Sequence, residues 1–348
     1  MSKSGLAAPK SRRNEVKADE GGWIILDKPS GMTSRAAGGR VARMFGIKKF
    51  GHLGTLDPMA SGVLPIALGE ATKMIPYLEH RAESREHRCQ KEYEFSVQWG
   101  IKTDTDDITG KVMEQNDSVP SGEQISAALS VLVGEIEQTP PAYSAVHIGG
   151  RRAYELARRG AEFEVPARRV NIYELEVCRG AMLAPGRARH APTSTEFRVQ
   201  CSAGTYVRAL AQQIVDEINN AENGKRKTGN GFICTCDSIR RTRTHNFEIK
   251  DAAALDFLEN LYNNACRAGA EAKAEHQPVL EYLKPVDFGL DDILVLEIGD
   301  KDAELFKNGG FIDSNGDGLR RIYNNGGFIG IGEIINGQLR PKRIITSH

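Results

Sequence analysis

From Gly51 to Gly62 the chain reads GHLGTLDPMASG, and this stretch leaves the backbone few choices. Glycines at 51, 54 and 62 admit close approaches and backbone angles closed to residues with a Cβ. Pro58 pushes the residue before it, Asp57, out of the helical region into extended backbone. The Asp57 carboxylate is therefore expected to project from a rigid loop, as a nucleophile or a general base is presented. The same residue types also build ordinary surface turns, and the loop alone does not separate the two readings.

The flanking segments read as strands and helices. GWIILD at 22–27 is an apolar run halted by Lys28-Pro29, the pattern of a buried strand entering a loop. Thr33 or Ser34 offers an N-cap for a helix to about Phe45, with Val41, Met44 and Phe45 as its apolar face. Residues 63–68 form a second apolar strand, and 70–78 a short helix carrying Lys73. KEYEFSVQWG, starting at Lys91, alternates as a strand with Tyr93, Phe95, Val97 and Trp99 on one face. A helix capped by Ser121 is expected over 121–136. CSAGTYVRALAQQIVDEI reads as a strand turning into a helix at Gly204-Thr205, with Tyr206 and Arg208 near the helix start. A guanidinium beside Asp57 would hold it as a carboxylate, by charge pairing and bidentate hydrogen bonding.

At 348 residues the chain is long enough for one large domain and a smaller one. With 40% apolar and 26% charged residues its composition is that of an ordinary soluble protein. No apolar run approaches the roughly 18 residues that cross a bilayer. The polar first 20 residues lack the apolar core of a secretory signal and read as a disordered tail, so a cytoplasmic location is expected. The six cysteines (89, 178, 201, 234, 236 and 266) show no C-x-x-C pair, which argues against a zinc knuckle or a disulfide framework. TDTDDITG at 103–110 gathers three carboxylates, but nothing is spaced to complete a metal shell. Asp313 to Gly318 fits the first half of a calcium loop, yet the twelfth position is Asn324 and the flanks read as strands, so a hairpin turn is expected.

The 46 basic and 46 acidic side chains leave a formal charge of zero, whereas an RNA binder usually carries a basic excess. The positive charge is clustered, however, at Arg151, Arg152, Arg158, Arg159, Arg168 and Arg169, at 225–227, and at Arg240, Arg241 and Arg243. Such clusters can follow a phosphate backbone on a neutral molecule, although each taken alone is equally a solvated face. From about 251 the chain turns alanine- and glutamate-rich, and a domain boundary is expected near 283–287. Beyond it, ILVLEI, RRIYN, GGFIGIGEII and KRIIT are short apolar runs between Gly, Asn and Asp, a composition that suits a small β-barrel.

GHLGTLDPMASGVLPIALGEATK resembles the catalytic motif of the TruB family of RNA pseudouridine synthases. The likeness continues in order through WIILDKPSGMTS (23–34), KEY (91–93), TDTDDITG, PPAYSAV (140–146), CSAGTYVRAL (201–210) and IRRTR (239–243). It implies an α+β fold, with a large mixed, mostly antiparallel sheet flanked by helices over 21–282 and a small PUA-like RNA-binding β-barrel over 283–348. It also implies isomerisation of a flipped-out uridine to pseudouridine in the T-loop of tRNA, at that RNA's position 55, with Asp57 as nucleophile. The reaction is redox-neutral, so no cofactor is expected, and no metal.

By the same resemblance Tyr93 stacks on the target base and can move a proton, while Arg208 serves Asp57. Tyr206 and Ile239 contact the substrate, His52 occupies the space left by the extruded base, and Lys73 contacts substrate or fixes the loop. Asp107 is implied to be structural or to orient an active-site arginine. Residues 149–168 resemble the RNA-gripping thumb of standalone bacterial members, with Arg151, Arg152, Arg158 and Arg159 against the RNA backbone. Segments 81–90, 181–192 and 219–231 read as insertions relative to the family. A monomer acting on the tRNA T-arm stem-loop, away from membranes, is the expectation. Two other readings stay open, a guide-RNA-dependent synthase and an RNA-folding chaperone with secondary catalysis. A glycosidase is disfavoured, because one strong carboxylate stands where two flanking ones are usual.

Overall fold

A computed structural model describes residues 21–84, 91–178, 194–222, 231–267 and 277–346. The tail at 1–20 and most of the three expected insertions lie outside the described residues. Strand β1 (Gly21–Lys28) leads to helix α1 (Ser34–Met44), whose first turn is capped by the Thr33 hydroxyl accepting from the Ala36 N–H. Strands β2 (Phe50–His52) and β3 (Ser61–Gly69) flank the Asp57 loop. The single helix expected over 70–78 is instead a tight 3₁₀ turn at Glu70–Lys73 followed by α2 (Ile75–Ser84). Pro76 falls in the first turn of α2, where its missing N–H costs nothing.

Next come β4 (Lys91–Trp99), the hairpin of β5 (Ile101–Thr103) and β6 (Val112–Gln115), α3 (Gly122–Leu132) and β7 (Gly134–Gln138). The helix expected over 121–136 is thus shorter. It ends where Gly134 turns the backbone to φ +110°, and the residues after it extend into a strand. A small hairpin, β8 (His147–Ile148) and β9 (Arg151–Arg152), precedes α4 (Ala153–Arg158). The domain is completed by β10 (Arg168–Val177), β11 (Ser194–Cys201), α5 (Val207–Glu222), β12 (Cys234–Thr244), β13 (Phe247–Glu248), β14 (Ala253–Ala254), α6 (Leu255–Arg267) and α7 (Gln277–Leu280).

Ten of these strands form one sheet in the order β14-β1-β3-β12-β4-β11-β10-β7, with β2 added to β3 and β13 to β12. Only β1 with β14 and β3 with β12 run parallel, so the sheet is mixed and mostly antiparallel, as expected. Strand β12 lies between β3 and β4 and touches β3 only briefly, at Arg240 opposite Ser61 and Arg241 opposite Gly62. Gly62 has φ +101°, and a Cβ there would sit 2.2 Å from the Arg241 carbonyl oxygen, so this crossing demands glycine. The main core packs Val41 of α1, Leu129 of α3, Leu210 and Ile214 of α5 and Leu258 of α6 with Leu64, Phe95 and Phe197 of the sheet.

A second sheet of five strands follows, from β15 (Leu294–Glu297), β16 (Ile312–Asp313), β17 (Gly318–Asn324), β18 (Gly327–Ile335) and β19 (Gln338–Ile344), in the order β15-β17-β18-β19-β16. It is the PUA-like module, with α8 (Asp300–Lys307), a helix not anticipated from the sequence, laid against it. The hairpin turn expected at 313–318 is a connection between strands that do not pair, because β16 pairs with β19. Residues 283–293 lie against the first sheet. Trp23 and Lys284 exchange backbone hydrogen bonds of 2.9 and 2.8 Å, and the Trp23 indole donates to the Val286 carbonyl at 3.0 Å. Val286, Leu290 and Ile293 then join Trp23, Phe247, Ile331 and Ile345 in one buried cluster that joins the two sheets. Among the described residues no helix is long and apolar enough to cross a membrane.

Candidate active site

Asp57 lies in the irregular backbone between β2 and β3, and the KPSGMTS stretch holds its loop from behind. The Ser34 hydroxyl accepts from the Leu56 N–H at 2.9 Å and donates to the Leu56 carbonyl at 3.0 Å. Gly31 N–H donates to the Pro58 carbonyl and the Ser30 hydroxyl to that of Met59, at 2.9 and 2.7 Å. Lys28 is fully buried and donates to the carbonyls of Pro29 and Met32, both at 2.8 Å, and of Pro58 at 3.4 Å. Burial lowers its pKa to about 8, with the Asp57 charge opposing the fall. In the sequence Lys28 marks only the end of a strand. A lysine closing an apolar run is the one available sign that its ammonium is buried.

Arg208, the second residue of α5, is only 2% exposed and has all three guanidinium nitrogens engaged. Nε donates to Asp57 Oδ2 at 2.9 Å, and Nη1 and Nη2 donate to the carbonyls of Thr105 and Tyr143, each at 2.8 Å. Asp107 Oδ2 stands 3.7 Å from Nη1, while its other oxygen accepts from the Thr109 N–H and from the Thr105 and Thr109 hydroxyls. Asp107 therefore belongs to a local turn and faces Arg208 at the same time.

The carboxylate of Asp57, one third exposed (33%), opens on a cleft of about 400 Å³. Tyr93, Tyr206 and Ile239 line it, together with Lys91 and Arg168, and Ala145, Val146 and His147 bring the chain just ahead of the expected thumb to its wall. Tyr93 is 5% exposed, and burial pushes its hydroxyl up to about 12, with Arg241 working against the rise. At neutral pH it is an O–H group. Arg241 lies beneath the loop with no exposed surface, its Nε donating to the Val63 carbonyl at 2.8 Å and its Nη2 to that of Gly54 at 3.0 Å. Lys28, Lys91, Arg168 and Arg241 are the side chains here that sequence reasoning does not assign to the site, although each sits inside a motif or basic cluster.

Two residues expected to contact the substrate lie outside the cleft lining. His52 closes β2, with a half-buried ring whose Nδ1 is buried and has no partner among the described residues. Burial, then Arg241 and Arg35, lower its pKa, so it is neutral at pH 7. Lys73 donates to Glu70 and to the carbonyl of Ile344 at 2.9 Å, which ties its turn to β19 rather than to the cleft. Glu70 also accepts from the Thr346 N–H at 3.1 Å. In the thumb segment Arg151, Arg152, Arg158 and Arg159 are all exposed. Arg152 donates to the Ala145 carbonyl at 3.0 Å, and Arg158 lies over the Tyr154 ring at 5.5 Å. Among the described residues no three His, Cys, Asp or Glu side chains are grouped to hold a metal ion.

Solved structures with this fold include one described as a Cbf5-Nop10-Gar1 complex, at 22% identity and a TM-score of 0.61 over 94% of this chain and 86% of that one. Another is an H/ACA RNP bound to a substrate RNA containing 2'-deoxyuridine, at 21% identity and a TM-score of 0.59 over 95% and 86%. Residues 42–207 match the N-terminal domain of the TruB family pseudouridylate synthases, and residues 295–345 the C-terminal domain of pseudouridine synthase II TruB. Fold and sequence together define a pseudouridine synthase. The chain belongs to the TruB family. Its relatives include proteins named tRNA pseudouridine synthase B from Caulobacter sp. (strain K31), 40% identical over 81% of this chain and 78% of that one, and from Bradyrhizobium diazoefficiens, 37% identical over 97% and 90%. One of the same name from Ehrlichia chaffeensis is 35% identical over 93% and 99%.

Proposed function

We propose that this chain converts uridine to pseudouridine at position 55 in the T-loop of tRNA, acting alone as a cytoplasmic monomer with Asp57 as its nucleophile. The relatives named tRNA pseudouridine synthase B support the substrate class. The observation that carries the chemistry is the Asp57 carboxylate, anchored by buried Arg208 and opening on a cleft walled by Tyr93, Tyr206 and Ile239.

The reaction breaks the bond between N1 of uracil and C1' of ribose, turns the base, joins C5 to C1' and transfers the C5 proton to N1. Electrons balance without an oxidant. Covalent attack by Asp57 on ribose or base splits the exchange into two easier steps and keeps the freed uracil in place. Extruding the nucleotide costs roughly a few kcal/mol, which stacking on Tyr93 and contact with Ile239 offset. A hydroxyl with its pKa near 12 is a hydrogen-bond donor in the resting site, so Tyr93 acts as a base only if it passes its own proton on as it takes another. His52 is the residue for the space left in the RNA, and Arg151, Arg152, Arg158 and Arg159 are the backbone contacts. The C-terminal sheet adds RNA affinity from its own surface.

A guide-dependent reading draws on the ribonucleoprotein among the structures of similar fold. The exposed basic hairpin and helix at 147–159, rooted in the cleft wall, favour standalone action, because recognition of a folded loop by the protein itself needs such a surface. Pure protein incubated with an isolated T-arm hairpin and no other RNA should produce one pseudouridine. A hairpin that stays unmodified until a guide RNA is added would reject this reading.

A further inference from the structure

Arg168, the first residue of β10, lies with its guanidinium over the face of Tyr206, 4.7 Å from the ring centroid. Both side chains line the cleft that holds Asp57. Two of the guanidinium nitrogens, Nε and Nη2, are buried and have no acceptor among the described residues. These two donors point the same way from one edge of a planar group, a fork matched to an anion with two oxygens. The chain uses that fork elsewhere, where Arg40 presents Nε and Nη2 to the two carboxylate oxygens of Glu259. Arg168 has no such carboxylate among the described residues.

A charged fork that is buried without an acceptor is costly, and an anion entering the cleft removes the cost. The fork is also held ready. Arg168 stands opposite Gln138 in the β10–β7 register, and the Gln138 side chain accepts from the Tyr206 N–H at 2.7 Å, so both members of the stack are fixed by the same sheet position. Arg208 is not open to a second anion in the same way, because it is 2% exposed and each of its three nitrogens already holds a partner, Asp57, Thr105 or Tyr143. The thumb arginines are exposed and lie outside the cleft lining.

We propose that Arg168 receives one phosphodiester of the RNA backbone beside the extruded uridine, taking its two non-bridging oxygens on Nε and Nη2. The inference rests on the RNA-modifying reading above. It makes Arg168 a positioning residue, which fixes how far the ribose lies from Asp57 and admits only RNA whose backbone follows that path.

The test uses T-arm hairpins in which each phosphate flanking the target uridine is replaced in turn by a methylphosphonate, assayed for Kd and kcat/KM. With the wild-type protein one position should cost about tenfold or more. Arg168→Gln should lose the same factor on the unmodified hairpin and nothing further on the modified one, while Arg168→Lys recovers only part. Losses that multiply at every phosphate, or full activity of Arg168→Gln, would overturn the site. If Arg168→Gln does not fold, the wild-type scan set against Arg168→Lys reads the same non-additivity. Wild-type protein that makes no pseudouridine yet shows the pattern in Kd would leave the phosphate site standing and reject the proposed reaction. Normal turnover with an additive cycle would do the reverse.

Discussion

Arg208 donates from Nη2 to the backbone carbonyl of Tyr143 at 2.8 Å, and the same guanidinium holds Asp57 through Nε. Tyr143 lies just ahead of the hairpin that carries Arg151 and Arg152, so the root of that exposed basic segment and the carboxylate share one fixed group. Arg208→Lys keeps the charge but cannot serve Asp57, Thr105 and Tyr143 together. We expect turnover to fall by about 100-fold or more, with a smaller loss of hairpin affinity. Single-turnover rates beside equilibrium binding will separate the two, and a variant with near-normal turnover would count against the shared anchor.

Asp57→Asn should abolish isomerisation while leaving hairpin affinity within a few fold. The change keeps shape and polarity and removes the oxygen proposed as nucleophile, so only transition-state chemistry should be lost. Measurable pseudouridine from the purified variant would remove Asp57 from the role proposed for it.

Replacing Arg151, Arg152, Arg158 and Arg159 with glutamine should weaken binding and flatten its salt dependence. Every phosphate left without its arginine should reduce the slope of log K against log salt by about 0.7 to 0.9. A slope equal to that of the wild type would show these exposed side chains to be solvated in the complex.

His245 gives stability an acid dependence. Burial, then Lys91 and Arg241, lower its pKa to about 4, and its Nε2 is buried without a partner among the described residues. The folded state therefore binds this proton less readily than the unfolded chain. The stability it contributes is complete above pH 6.5 and is lost as pH falls toward 4, by up to about 3 kcal/mol. Asparagine tolerates the φ of +53° found there and does not titrate. His245→Asn should lose less Tm than the wild type between pH 7 and 4.5, and parallel Tm curves would contradict the assignment.

Truncation should depend sharply on where the cut falls. A chain ending at 282 loses Leu283 from the main core and Val286, Leu290 and Ile293 from the cluster around Trp23, on the order of 5 kcal/mol or more of apolar burial. One ending at 293 keeps these side chains, loses the second sheet, and should still modify RNA at saturating concentration. Melting curves and saturation kinetics on the two fragments test this, and equal stability would show that 283–293 adds nothing to the first sheet.

The parts of the site legible in the sequence are those whose chemistry is written in side chains close together in a motif. Asp57 before Pro58, among glycines, announces a presented carboxylate, whereas Arg208, 151 residues further on, is tied to it in the sequence only by the family resemblance. Lys28 is opaque because its partners are backbone carbonyls, which every residue possesses. Lys73 is opaque for a different reason, since the carbonyl it meets belongs to Ile344 at the far end of the chain. The expected helix over 121–136 overshoots because Glu135 suits a helix, and the positive φ of Gly134 decides otherwise. Helix α8 escapes notice within a stretch whose composition points to strands.

The place of β12 between β3 and β4 has a consequence for how the protein is made. Strands neighbouring in sequence cannot zip together here, since the slot between them waits for residues 234–244. Contacts of such long sequence separation close slowly. A chain on the ribosome that has not yet delivered those residues carries two unsatisfied strand edges, one beside the catalytic loop, open to pairing with other chains. It also lacks Ile239 and Arg241, the side and underside of the Asp57 pocket. Asp57 is translated early, but the pocket around it is assembled only when the second half of the domain has been synthesised.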